Sequence, residues 1–449
     1  MVTILTLIIG LYYAYKNNIE AFLYVQLFCL FFLQMIVNWT EPSLFQYRGY
    51  VSIILIIALF LFNISSLIKN EVLIDGIKVL GLIILPFLLL LYLSSLFNNY
   101  DFVSAIMYFR NYFWPFLLFV LILSLSNGNI RIERVLLFIV IIQILFCIIQ
   151  YVGGNDVKNM FAIHYYMRNG EIVNFMSDSV YTKSNYLIVG TLGHVTRLST
   201  FLSWYILYYF MKKVADDSFN IYSLVIIVFS IICILLSGVR APFVICVCGL
   251  LVCYVIFNTN ISKTIAKLFL ISGIAIITLP LLINIGKEQI TKVGGSYENG
   301  FYRSLTVFGV LGEFTEGEVK HQYTTKRSIY LSQFLTPRSF IIGTGTYMKD
   351  EKGYGTGISS ISDTQLLFIL VEFGIFIFIL CLMPYIISIR EIKKTSPPQL
   401  YKVFILFFSV ILLQTLVDPG IFDTLTSFMF FIICGCEVNN NYYKYVVKQ

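Results

Sequence analysis

Arg240 stands in the break Leu235-Leu236-Ser237-Gly238-Val239-Arg240-Ala241-Pro242, between two apolar runs that are each long enough to cross a bilayer. A guanidinium is costly in such a place, and the chemistry it suits is the holding of an anion. Pro242 is adapted to the first turn of a helix, so the second run is expected to begin there, with its amide N–H groups and positive dipole end beside Arg240. Snorkelling of the side chain to lipid headgroups is the competing reading. Arg197 is a second cation of this kind. Fifteen residues separate it from Lys212, and as helix they rise about 22 Å of a hydrocarbon core of about 30 Å, which leaves Arg197 inside the outer third of the membrane. Gly190, Gly193, His194, Thr196 and Ser199 surround it with small or polar groups that permit close helix packing and a wet cavity. A structural pair with an acidic neighbour is its alternative, and His194 reads as a hydrogen-bonded packing residue before it reads as a catalyst.

Other candidates lie in polar sequence. Arg327 belongs to Lys326-Arg327-Ser328, followed by Arg338 and by Gly343-Thr344-Gly345. For most of these charges a solvated loop face suffices. The Gly-x-Gly lacks the flanking strand and helix of a dinucleotide fold, so it is an ordinary turn or a tight backbone near a ligand. Asp363, in Ser360-Ile361-Ser362-Asp363-Thr364, precedes the apolar run Gln365–Ile389. Its carboxylate can cap that helix or take a proton from a hydroxyl nucleophile, and the two roles compete for the same oxygens.

The elements that must position these residues are transmembrane helices. The 449 residues are 58% hydrophobic, 17% aromatic and only 12% charged, with a mean hydropathy of +0.84. Apolar runs recur from end to end, and Ser52 to Leu61 or Ile221 to Leu236 are apolar on every face, which excludes the period-two alternation of a barrel. Spans are expected near Ala21–Trp39, Val51–Ile68, Val79–Phe97, Phe113–Ser126, Val135–Val152, Tyr186–Met211, Ile221–Leu236, Phe243–Phe257, Ile265–Ile285, Gln365–Ile389, Val403–Leu416 and Ile421–Cys434. These spans and the short Val2–Tyr15, whose full crossing stays open, bring the total to about twelve or thirteen, within a range of about 11 to 13. The fold class is therefore an all-α polytopic membrane protein. Met1 begins an apolar run with no basic region before it and no cleavage site after it, so the first helix is expected to be retained.

Lys69 and Lys78, Arg131 and Arg134, Lys212 and Lys213, Lys263 and Lys267, Arg390 to Lys402, and Lys444 and Lys448 alternate so as to share one side, the cytoplasm by the positive-inside bias. The other side receives two long polar segments, Gly153–Ser184 and the larger Gly286–Ser362. A loop of the second length is usually functional. The chain thus divides into a helical region 1–285, a large external loop 286–362, and C-terminal helices with a cytoplasmic tail, 363–449. Nine cysteines all lie in apolar segments and read as small hydrophobes, without metal-ligand spacing. The net charge of +7 fits the positive-inside bias and not nucleic-acid binding.

Gly190–Ser199, Leu235–Val244, Arg327–Gly345 and Asp363–Gly374, the last with Glu372-Phe373-Gly374, resemble in order, spacing and topology the O-antigen ligase/polymerase superfamily. The resemblance covers about the second half of the chain; the first half is similar only in hydropathy. It implies a GT-C type glycosyltransferase of the bacterial cytoplasmic membrane that needs neither metal nor cofactor. Its donor and acceptor would be glycans on polyprenyl diphosphate, with membrane lipid and a chain-length regulator as further partners. Arg197, Arg240 and Arg327 would then clamp the diphosphate as charge develops on it, and Asp363 would serve the acceptor hydroxyl, with His194, Ser237, Gly343 and Gly345 in support. Ligases of this superfamily usually carry His before the Glu-x-Gly span. Asp363-Thr364 stands there instead, which favours a polymerase of O-antigen, capsule or exopolysaccharide repeat units over a ligase. A lipid-linked oligosaccharide flippase or other transporter is the rival from another class.

Overall fold

The computed structural model describes residues 1–40, 48–68, 71–126, 130–161, 165–168, 171–174, 188–257, 284, 336–345, 365–415 and 424–442. Helices dominate. Helix α1 (Val2–Tyr15) turns at Asn17, and Asn18 caps α2 (Ile19–Phe28) by accepting from the Ala21 N–H at 3.1 Å. A π-helical turn, Cys29–Leu33, carries α2 into α3 (Gln34–Thr40). Helices α4 (Arg48–Phe62), α5 (Ile64–Ile68), α6 (Glu71–Asn98) and α7 (Phe102–Leu125) follow, then α8 (Ile132–Phe161), which is broken at Gly154 by a φ of 67°.

Within the expected run from Tyr186, a 3-10 turn at Gly190–Leu192 precedes α9 (Val195–Ala215), where the α-helix begins; α10 (Ile221–Ser237) and α11 (Arg240–Phe257) come next. After the short α12 (Pro337–Ile342), the run expected to be one span from Gln365 is two helices, α13 (Gln365–Phe373) and α14 (Ile375–Thr395). Helices α15 (Pro398–Thr415) and α16 (Thr424–Tyr442) complete the described part. The expected span Ile265–Ile285 lies almost wholly outside the described residues.

Among the described residues, five helical stretches, Ile19–Val37, Lys78–Asn98, Ile132–Gly154, Arg240–Phe257 and Ile375–Thr395, are long and apolar enough to cross a membrane, and five shorter apolar helices accompany them. Their outward faces carry large apolar side chains: Leu82 is 73% exposed and Leu85 70%. Water would penalise such faces and lipid does not, so this is a multi-pass membrane protein.

One short antiparallel hairpin adds to the helical fold inside the expected polar segment Gly153–Ser184. Tyr165–Arg168 pairs with Glu171–Asn174, Tyr165 opposite Asn174 and Arg168 opposite Glu171. In sequence the strands flank Asn169-Gly170, the dipeptide most favoured in two-residue hairpin loops, a signal that hydropathy alone passes over.

Helix α9 is the axis of the bundle, packed by α10, α11 and α15. It is buried over most of its length although it carries Ser199, Thr200, Ser203, Tyr205 and Tyr208. Polar side chains inside a membrane belong in the interior of the bundle. Helix α7 packs along α16, and eight of the nine cysteines are buried among these helices while Cys248 faces outward.

Hydrogen bonds gather the loops expected on the cytoplasmic side at one end. The Ile130 N–H donates to Asn440 Oδ1 at 2.8 Å, the Arg131 N–H to Glu20 Oε1 at 3.2 Å, and Asn441 Nδ2 to Ser396 Oγ at 2.9 Å. Lys212 Nζ bridges Glu133 and Glu437 at the same end. Glu20 opens α2, so α1 runs toward this end as well.

Candidate functional site

Two breaks in the helical pattern build the site, and the first is the stretch 188–194. Gly190 and Gly193 take left-handed φ values of 57° and 68° and hold the stretch to a single 3-10 turn, Gly190–Leu192, so that no α-helix starts before Val195. Backbone groups released in this way must find partners inside the bundle, and two glutamines of α8 supply them. Gln150 Oε1 accepts from the N–H groups of Val189 and Gly190, both at 2.9 Å, while its Nε2 donates to the Gly190 carbonyl at 3.0 Å. Gln143 Oε1 accepts from the Thr191 N–H at 3.0 Å, and its Nε2 donates to the Thr191 hydroxyl. That hydroxyl donates in turn to the Phe31 carbonyl within the π-helical turn, at 2.9 Å.

Substituting Gln150 by leucine would strand two N–H groups and one carbonyl in an apolar interior, at about 1–3 kcal/mol for each orphan. A Gln150→Leu protein is expected to unfold several degrees earlier in detergent, with Gln143→Leu following it. An unchanged thermal midpoint would show that the amide clamp does not hold the segment.

His194 sits at the N-cap of α9, where Nδ1 accepts from the Thr196 N–H at 3.3 Å. This contact satisfies one of the N–H groups that the first turn of α9 leaves without a helical partner. Arg197 lies one turn further on, half-buried, and its Nη1 donates to Gln34 Oε1 of α3 at 3.0 Å.

The second break joins α10 to α11. Gly238 closes α10 in the left-handed conformation, φ 73°, with its N–H on the Leu235 carbonyl at 3.1 Å. The buried Ser237 hydroxyl donates to the Ile234 carbonyl at 2.6 Å within the last turn of α10. Helix α11 starts at Arg240, two residues before the expected Pro242. Proline costs nothing there, because an N–H in the first turn has no partner within the helix. The half-buried guanidinium and the dipole end of its own helix add their positive fields, a combination that favours an anion.

The two breaks meet. Val239 packs against Val189 and Val195, which places the arginine-bearing turn at 240 beside the stretch that leads into Arg197. Both lie away from the Lys212 end, since Lys212 is in the last turn of the helix whose first turns hold Arg197.

A clasp joins the two glycine motifs. Gly374, φ 85°, ends α13 and leaves the carbonyls of Val371 and Glu372 without partners in their own helix. The Thr344 N–H reaches the Val371 carbonyl at 2.9 Å and the Gly345 N–H the Glu372 carbonyl at 3.1 Å. Thr344 Oγ1 donates to Glu372 Oε2 at 3.1 Å, with that carboxylate only 1% exposed. From α6, Ser94 Oγ holds the Ile342 carbonyl at 2.8 Å and Asn98 Nδ2 the Gly343 carbonyl at 3.2 Å. Gly343 and Gly345 are therefore engaged by neighbouring backbone and side chains, a structural turn more than a ligand cradle. Arg327 and Asp363 lie outside the described residues.

Sequence reasoning passed over Gln34, Gln143, Gln150 and Asn98, although an amide inside an apolar run is itself a signal of an interior contact. Among the described residues no cluster of His, Cys, Asp and Glu is placed to hold a metal ion. Comparison of the chain with protein-family models, with curated proteins and with solved structures finds no match.

Proposed function

We propose that this protein is a glycosyltransferase that polymerises polyprenyl-diphosphate-linked oligosaccharide repeat units of O-antigen, capsule or exopolysaccharide. In this reading it is a metal-independent enzyme of the GT-C type with about twelve spans, seated in the bacterial cytoplasmic membrane with its Lys212 end in the cytoplasm. The observation that carries it is the meeting of the two arginine-bearing breaks through Val239, Val189 and Val195. Two cations carried by neighbouring segments, one of them in the first turn of a helix, suit a diphosphate better than a single phosphate or a neutral sugar.

Arg197 and Arg240 hold the donor diphosphate and Arg327 closes over it. An acceptor sugar hydroxyl, oriented by Asp363, attacks the anomeric carbon of the donor. The new glycosidic C–O bond forms as the C–O bond to the diphosphate breaks. The hydroxyl proton passes to the carboxylate, and polyprenyl diphosphate departs with the bond's electrons, stabilised by the guanidinium groups.

Membranes carrying Arg197→Ala or Arg240→Ala at equal protein level are expected to elongate lipid-linked repeat units about 10²-fold more slowly, the usual effect of removing one group that stabilises a leaving charge. Normal elongation by both variants would sink the assignment. A ladder of lengths on the lipid carrier supports a polymerase; one capped acceptor identifies a ligase.

A further inference from the structure

We infer that Gln34 is a positioning residue of the anion site: its side-chain amide aims the Arg197 guanidinium, and does so with a neutral acceptor. The inference rests on the diphosphate reading of Arg197. Gln34 is the first residue after the π-helical turn Cys29–Leu33. Such a turn shifts the register of a helix and takes carbonyls out of the regular ladder. In this protein both consequences are used at one place, because the Phe31 carbonyl takes the Thr191 hydroxyl at 2.9 Å while Gln34 meets Leu192 and Arg197.

The Gln34 amide has two contacts. Its Oε1 accepts from Arg197 Nη1 at 3.0 Å, and its Nε2 stands 3.5 Å from the Leu192 carbonyl. One planar group thus ties the guanidinium to the backbone that leads into α9, fixing its direction before any ligand arrives. A carboxylate would make a stronger hydrogen bond to arginine than an amide does. If the contact existed only to stabilise a cation within the bundle, glutamate would serve that end better. Glutamine orients the group without opposing its field, whereas a negative charge at the same distance would cancel much of it in a medium of low dielectric. This is what a site needs when the guanidinium must attract an anion.

The test uses the full chain in detergent, titrated with farnesyl diphosphate and with the neutral alcohol farnesol. Arg197→Ala is expected to weaken diphosphate binding about tenfold or more, as the loss of a charge-assisted contact should. Gln34→Glu is expected to weaken it about tenfold by opposing the charge, with farnesol binding unchanged. Gln34→Met, which removes the acceptor without adding charge, should weaken it about threefold, the scale of one neutral hydrogen bond, and carries the test if the acidic variant fails to fold. Full diphosphate affinity in the Gln34 variants, with Arg197→Ala weakened, overturns the role of Gln34 and leaves the diphosphate reading in place. Full affinity in Arg197→Ala overturns that reading and the role with it. Equal losses for diphosphate and farnesol in Gln34→Glu also overturn the role, because disturbed packing would act on both.

Discussion

Replacing Lys212 by methionine is expected to lower the stability of the folded protein by about 3–5 kcal/mol, the cost of leaving a buried charge without its partner. Lys212 Nζ lies between Glu133 of α8 and Glu437 of α16, with Tyr208 one turn before it on α9. The Lys212 side chain is 14% exposed and that of Glu437 6%, whereas Glu133 is 44% exposed. Water can therefore take over at Glu133 but hardly at Glu437, which would keep only the Tyr208 hydroxyl, 2.8 Å away, of the donors described for it. Most of the loss should come from that one carboxylate. Converting it as well, in Lys212→Met/Glu437→Gln, is expected to restore most of the stability, since removing both members of a buried pair is often close to neutral. Unfolding midpoints of the four proteins in a double-mutant cycle measure the coupling. If the single variant stays within about 0.5 kcal/mol of wild type, as exposed pairs do, these charges do not pin α8, α9 and α16 together.

Gly343→Ala and Gly374→Ala are expected to open the clasp. Both positions have φ of 85° with ψ of 172° and 171°, a region essentially reserved for glycine that costs an alanine about 1–3 kcal/mol. Space is the larger obstacle. A Cβ on Gly343 would lie 2.5 Å from the Glu372 carbonyl carbon and 2.6 Å from Phe373 Cα, and one on Gly374 would lie 2.7 Å from the Ile341 carbonyl carbon. These neighbours are backbone and cannot rotate away. The two backbone segments must part, and the hydrogen bonds of Thr344 and Gly345 go with them, at about 1 kcal/mol each. Hydrogen exchange at the Thr344 and Gly345 amides should rise sharply in both variants. Gly345→Ala, where the added atom meets the side chains of Asn98 and Tyr100, should give a smaller rise. Gly81→Ala, with nothing within 4 Å of the new atom, should give none. Unchanged exchange in Gly343→Ala would mean that the clasp does not depend on this close approach.

Much of the helical layout was legible because each expected span reports its own transfer to lipid. Ile221–Leu236 was expected and Ile221–Ser237 is found; Val403–Leu416 corresponds to Pro398–Thr415. The errors fall where backbone leaves the helix for a tertiary partner. A run read as helical from Tyr186 starts at Val195, because Gln143 and Gln150 satisfy the backbone that Gly190 and Gly193 turn aside. The span read as continuous from Gln365 to Ile389 breaks at Gly374, because Thr344 and Gly345 take up the released carbonyls. Arg240 and Arg197 were legible as misplaced charges. The residue that aims Arg197 was not, since Gln34 sits in a half of the chain where only hydropathy spoke.

The sequence by itself determined that the chain is a bundle of membrane helices and that the loops near Arg131, Lys212 and Lys394 share an end, because burial of apolar area and the Lys/Arg bias are sums over local residues. The tertiary structure alone decided that Gln34 meets Arg197 across 163 positions and that Ser94 and Asn98 hold the loop at Ile342 and Gly343 across 248 and 245. A hydrogen bond is directional and works over about 3 Å. Which donor finds which acceptor therefore depends on how the helices have packed, and no sum along the chain contains that.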